Sequence, residues 1–162
     1  QEHLDLLLSR CVVDDRFVSP LVATGKAAPC RSLINYMPIL LGERLPASLR
    51  QQLLRDLAVG GPFLTEYGYA TEAIQSPKRK LDGYWRGAIW APPTYHIFQG
   101  LLRLGEKRLA QEVAHRYLKM LSLHPVMSEN YEATTGEPLQ APGVSWTSAV
   151  AVLLGAWLRG EE

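Results

Sequence analysis

Three stretches of this chain are apolar almost all the way round a helix: "RSLINYMPILLG" (31–42), "PTYHIFQGLLRLG" (93–105) and "SWTSAVAVLLGAWLRG" (145–160). Such a helix has no wet face and must be covered on every side. Each runs into a glycine (Gly42, Gly105, Gly160), the residue best suited to stop it. Two are followed by helices of the opposite character. In "PASLRQQLLRDL" (46–57), Leu49, Leu53, Leu54 and Leu57 fall on one stripe. In "EKRLAQEVAHRYLKMLSL" (106–123), Leu109, Ala110, Val113, Ala114, Tyr117, Leu118 and Leu121 do the same, with charges opposite. The repeat of apolar helix, glycine and amphipathic helix reads as helical hairpins, inner members covered by wetter outer ones. It predicts an all-α fold, a layered ring of hairpins rather than a small bundle. Pro38 is expected to kink the first apolar helix and Pro46 to sit in the first turn of its partner. Ser145 or Thr147 is expected to cap the last.

No strand is legible. Two long segments, about 59–92 and 123–144, lack helical period. They hold Tyr67, Tyr69, Tyr84, Trp85, Trp90 and Tyr131, too much aromatic surface for disorder. Loops this long are typically functional, so the chemistry is expected there, at one rim of the helices. The 162 residues, 47% apolar and 20% charged, suffice for one domain. The net charge of +1 gives no field drawing the chain to nucleic acid or a membrane, and neither is expected as a partner. The basic run "PKRK" (77–80) reads as a solvated turn.

Cys11, Cys30 and four scattered histidines show no metal-ligand spacing, so neither a metal nor a cofactor is expected. The two cysteines form one disulfide or stay reduced. The most apolar run, "AVAVLLGAWL" (149–158), is too short to cross a bilayer, and no signal peptide is legible. The sequence opens on Gln1 rather than Met, which points to processing or to a piece of something longer.

Three motifs carry chemistry. "DGYWRGAIWAPP" (82–93) crowds Tyr84, Trp85 and Trp90 around Arg86 and Gly87. Flat aromatic faces suit the apolar faces of pyranose rings, and a guanidinium offers a fork of donors to hydroxyl or carboxylate oxygens. Gly87 allows a ligand or another backbone to approach closely. The same residues also make an ordinary packed cation–π loop. "SENYEATTGEP" (128–138) supplies Glu129, Glu132 and Glu137. Glycosidic hydrolysis needs two carboxyls, about 6.5–9.5 Å apart in the inverting mode, although acids in a loop are most often solvated. "GVSWTSAV" (143–150) sets Trp146 at a helix mouth, where it floors a pocket or joins the core.

In this order and at these separations, "YWRGAIW", "ENYEATTGEP" and "GVSWTSAV" resemble glycoside hydrolase family 63 and the related trehalase group, over roughly residues 30–158. The usual forms there are close to YWRGPIW, E-x-Y-(D/N)-P-x-T-G-E and F-S-W-(S/T)-A. This chain departs at Ala88, at Glu132–Ala133 and at Val144. The resemblance implies a toroid of paired helices with the active site at the centre of one rim. Residues 1–162 would be the C-terminal part of an (α/α)6-type glycosidase domain, a toroid fragment with long rim loops and its N-terminal half absent.

The resemblance further makes Glu129 the general base of an inverting α-glycosidase acting on α-glucosides, α-mannosides or a related small glycoside. It assigns Tyr84, Trp85, Arg86, Gly87 and Trp90 to the sugar pocket, flanked by Tyr131 and Trp146. The family's general acid is an aspartate from the preceding half, and Asp14, Asp15, Asp56 and Asp82 do not sit in its motif. The isolated chain is therefore expected to be inactive. It is expected to self-associate, or to pair with the missing half or another chain, through an exposed apolar flank. The alternative is a non-catalytic carbohydrate-binding or helical-repeat interaction module.

Overall fold

The structure, a computed structural model, describes residues 2–161. A helix α1 (Glu2–Cys11), not read from the sequence, leads into a two-stranded hairpin of β1 (Val12–Val13) and β2 (Arg16–Phe17). A 3₁₀ segment (Leu33–Arg44) and α2 (Ala47–Leu57) follow. After a long loop come β3 (Ile89–Trp90), α3 (Ala91–Arg103) and α4 (Lys107–Ser122), then β4 (Ser128–Tyr131), β5 (Pro138–Pro142) and α5 (Ser145–Leu158).

Helices α2, α3, α4 and α5 take the places their periodicity gives them, and α3 is the hub, packed against the 3₁₀ segment, α4 and α5. On α4 the buried residues Ala110, Val113, Ala114, Tyr117 and Leu121 follow the predicted stripe. Pro92 and Pro93 stand in the first turn of α3, where an N–H has no partner to lose. Gly100 lets α3 approach the 3₁₀ segment: a Cβ there would stand 2.3 Å from Ile39 Cγ2. Ile39, Ile97, Leu101, Val113 and Leu154 form the centre of one core.

Several expectations need correction. The fold is mainly helical but not all-α: β3, β4 and β5 form an antiparallel sheet in that order. Its strands are two to five residues long, too short for an alternation to be read. The first apolar segment winds as a 3₁₀ helix, not an α-helix. Pro38 lacks an N–H for the ladder and crowds the preceding turn. The segment then breaks at Gly42, whose φ of 56° and ψ of −131° are not helical. Pro46 lies one residue before α2. Neither Ser145 nor Thr147 caps α5: Val144 holds that position, and the Thr147 hydroxyl donates to the Ser128 carbonyl at 2.9 Å. Cys11 and Cys30 are free thiols. Among the described residues no helix is long and apolar enough to cross a membrane.

Candidate active site

The site is built on a loop cinched from within. The Lys80 N–H donates to the Arg86 carbonyl (2.8 Å), and the Arg86 N–H to the Gly83 carbonyl (3.0 Å). Gly87, at φ +150°, lies against this turn so closely that a Cβ would stand 2.6 Å from the Lys80 carbonyl oxygen. The glycine is thus required by a neighbouring backbone. Below it, the Thr71 hydroxyl accepts from the Gly87 N–H (3.1 Å) and donates to the Ala88 carbonyl (2.8 Å). The chain then enters β3, and the tip of the loop is left standing at the rim. Tyr84, at the tip, has a φ of 55°, rarely adopted by a side-chain-bearing residue.

The aromatic residues meet as the motif suggests. The rings of Trp85 and Trp90 stack with centroids 4.1 Å apart and planes 11° from parallel. Tyr84 stands edge-on to Trp90 at 4.6 Å and 90°, and Trp146 lies 6.2 Å from Trp90. Trp90 is buried at 2% exposure and donates its indole N–H to the Tyr84 carbonyl (3.2 Å). Tyr84, Trp85 and Trp146 keep 44%, 49% and 42% of their surface. The result is a rigid aromatic wall with its base in the core. Strand β4 pairs with β3 in the register Ile89↔Tyr131 and Trp90↔Asn130, which brings Glu129 to this wall. The Tyr84 hydroxyl donates to Glu129 Oε1 at 2.8 Å. That hydrogen bond, more than slight desolvation and the carboxylate's charge, holds the Tyr84 phenol above the usual tyrosine range.

Other candidate residues lie elsewhere. Tyr131 is 1% exposed, opposes Ile89, and accepts the Ser128 N–H on its hydroxyl (2.7 Å), so it supports β4 from beneath. Burial raises its phenol pKa. Arg86 lines a cleft of about 260 Å³ with Lys78, Glu72, Ser32 and the wall residue Trp85. A second, mostly apolar cleft of about 320 Å³ that also reaches Trp85 is lined by Leu33, Ile34, Met37 and Pro93. Glu137 is exposed.

Two readings fail together. Arg79 of "PKRK" is not solvated and Glu132 is not a solvated loop acid: they form a largely buried ion pair. Glu132 Oε2 accepts from the Thr134 N–H (2.7 Å), the Thr134 hydroxyl (2.6 Å) and the Thr135 N–H (2.8 Å). Burial works to raise the Glu132 carboxyl. The Thr134 and Thr135 hydrogen bonds and the Arg79 charge outweigh it and hold the pKa below the usual range. This carboxylate stays ionised at neutral pH and is unsuited to donate a proton. Neither partner was legible in the sequence, because the contact spans 53 residues. Asn130 was missed as well: it is 1% exposed, and among the described residues neither end of its carboxamide has a partner. Among the described residues no three metal-ligating side chains gather.

Comparison with known proteins bears on this arrangement. The model of a family described as "Mannosylglycerate hydrolase MGH1-like glycoside hydrolase domain" matches residues 5–147. Mannosylglycerate hydrolases MGH1 and MGH2 of Selaginella moellendorffii are each 28% identical over 141 residues, covering 83% of this chain and 26% of theirs. The chain thus spans about a quarter of these curated relatives. The crystal structure of the GH63 mannosylglycerate hydrolase from Thermus thermophilus in complex with Tris and D-glycerate has a TM-score of 0.79 at 20% identity, over 93% of this chain and 36% of that one. The neutral trehalase Nth1 from Saccharomyces cerevisiae has a TM-score of 0.75 at 16% identity, over 94% and 28%. These likenesses show that the fold is shared.

Proposed function

The chain belongs to the MGH1-like glycoside hydrolase family, related to family 63 and the trehalases, and from this we propose that it is the C-terminal part of a toroidal catalytic domain that hydrolyses a small α-glycoside with inversion. A mannoside or glucoside of a small hydroxy acid is the favoured substrate, because the curated relatives are mannosylglycerate hydrolases. Glu129 is the general base. The observation that carries the reading is the Tyr84–Glu129 hydrogen bond beside the stacked tryptophans, which holds a carboxylate against an aromatic wall. The sugar rests against Tyr84, Trp85 and Trp146. Glu129 takes a proton from a water as that water attacks the anomeric carbon from the face opposite the leaving group.

The leaving oxygen needs a second carboxyl, protonated and about 6.5–9.5 Å from the base. Glu132 is held ionised and is unsuited to the role; the resemblance to family 63 implies that this acid is an aspartate from the preceding half of the ring. The same missing part of the ring covers the outer face of α5, where Val152 and Leu153 are exposed.

The test is Glu129→Gln in a protein carrying the whole ring, assayed by sugar release from mannosylglycerate, α-linked disaccharides and aryl α-glycosides. Turnover should fall by about 10²–10⁴-fold with substrate binding retained. Near-normal turnover would remove Glu129 as base. Binding without turnover in the unsubstituted protein would favour a carbohydrate-binding module instead.

A further inference from the structure

We propose that the buried Arg79–Glu132 ion pair is a positioning device for the candidate base, setting the loop 80–88 at the height where Tyr84 meets Glu129. This rests on the reading of Glu129 as the base. Tyr84 lies midway between Arg79 and Ile89. At its far end the loop is fixed by β3, through the pairing of Ile89 and Trp90 with β4. The near end needs an anchor of its own, and Arg79 supplies it. Its guanidinium, with the side chain 15% exposed, meets Glu132, whose side chain is 9% exposed. Its Cγ lies 3.2 Å from where a Gly87 Cβ would stand, so Arg79 touches the backbone it holds.

The other partner is equally fixed. Glu132 Oε2 is occupied by Thr134 and Thr135, while Oε1 is left for Arg79. The Glu132 N–H donates to the Glu137 carbonyl (2.8 Å) and the Gly136 N–H to the Glu132 carbonyl (2.9 Å), closing the turn. A Cβ on Gly136 would stand 2.7 Å from the Tyr67 ring, so this turn cannot slide. Glu132 lies three residues beyond Glu129, and one short segment therefore carries both the base and the loop's anchor. The remaining polar ties across this gap, Tyr84–Glu129 and Gln140–Asp82, are exposed, where water competes. A charge-assisted bond between two side chains removed from water holds its geometry better. Where the resembling family has Asp or Asn, this chain has the longer Glu, which serves its own turn and Arg79 together.

The test uses Glu132→Gln, which keeps an acceptor for the Thr134 and Thr135 amides but removes the charge facing Arg79. Arg79→Gln, Arg79→Lys and the double Gln variant complete the set. Two readouts report the loop directly in this chain. One is the Tyr84 titration, isolated by subtracting the ultraviolet difference spectrum of Tyr84→Phe. The other is the exciton couplet of the Trp85–Trp90 stack in far-ultraviolet circular dichroism, isolated by subtracting the spectrum of Trp85→Phe. In both single Gln variants the Tyr84 titration should move down toward the ordinary tyrosine value and the couplet should lose about half its amplitude or more. The double variant should be no worse than either single one, and Arg79→Lys should keep most of both signals. In a protein carrying the whole ring, kcat should fall about tenfold with KM little changed, as for a misplaced base. Unchanged Tyr84 titration in folded variants overturns the proposal whatever the turnover. Loss of the helical signal in both single variants overturns it too, by making the pair a general support of the fold. The Tyr84 readout does not depend on whether Glu129 is a base, so failure of that reading is seen separately, as activity surviving Glu129→Gln.

Discussion

The Tyr84 hydroxyl and the Glu129 carboxylate, 45 residues apart in sequence, are joined by a 2.8 Å hydrogen bond at the open end of the helices. In the proposed reaction the phenol orients the carboxylate and leaves its other oxygen for the attacking water. Tyr84→Phe keeps the ring on Trp90 and removes only the donor. In a protein carrying the whole ring, kcat should fall on the order of fivefold, with a smaller change in KM. Equal kcat values for the variant and the parent would show that the hydrogen bond does not serve the reaction.

Gly100 predicts a packing effect far from the rim. An added Cβ would meet Ile39 Cγ2 at 2.3 Å and the Ile39 backbone carbon at 3.1 Å. Gly100→Ala gains helix propensity of about 1 kcal/mol, but overpacking costs about 1–3 kcal/mol. The net expectation is a lower melting temperature. Combining it with Ile39→Val should lose less than the two single changes together, and a higher melting temperature for Gly100→Ala alone would sink the argument.

Asn130 predicts a gain. A buried amide group without a partner costs about 1–3 kcal/mol, and the Asn130 carboxamide has none at either end among the described residues. Asn130→Leu, of similar shape, should stabilise this chain by about 1 kcal/mol in urea unfolding. A loss of stability would mean that the amide is satisfied in solution.

Two limbs of pH dependence follow. Glu132 has a folded pKa below its unfolded value. Its contribution is present above about pH 4 and is lost as pH falls through the folded pKa. Urea midpoints measured from pH 6 to pH 3 should therefore drop less in Glu132→Gln than in the parent chain. Tyr36, Tyr69 and Tyr117 are shifted the other way, chiefly by burial. Their contribution is complete below about pH 10 and is lost as pH rises beyond it. Alkaline unfolding that begins above about pH 10 and coincides with tyrosine ionisation is expected; tyrosine ionisation at pH 10 with the fold intact would contradict it.

The outer face of α5 predicts association. Val152 and Leu153 are 67% and 46% exposed on a helix with no charge from Ser145 to Leu158. The chain alone should sediment as more than a monomer, and Val152→Glu with Leu153→Lys should return it to a monomer. A monodisperse monomer before substitution would rule this face out as a contact.

Helices α2 to α5 were legible because their apolar patterns are long: the Leu109–Leu121 stripe places α4 to within a residue or so, while α1 and the 3₁₀ winding of Leu33–Arg44 were not. The aromatic wall was legible because Tyr84, Trp85 and Trp90 are close in sequence. What escaped depends on partners far along the chain. Strand β3 is two residues and gains its identity from distant partners, Asn130 and Tyr131 on one side and Ala70 on the other. Arg79 reads as a solvated turn until Glu132 is brought beside it. Tyr131 carries the family pattern yet supports from below: it pairs with Ile89, and the irregular register between Ser128 and Asn130 breaks the alternation that would put it on one face with Glu129.

The pairing of β3 with β4 also sets an order of events. Between the two strands lie α3 and α4, a hairpin of local contacts that can close by itself. The segments bearing Tyr84 and Glu129 flank this hairpin, and its closure brings their ends together. During synthesis the aromatic loop therefore emerges without its carboxylate, and the pocket comes into being only when the last strands dock. The contact between Tyr84 and Glu129 is thus expected to form after the hairpin whose ends carry it.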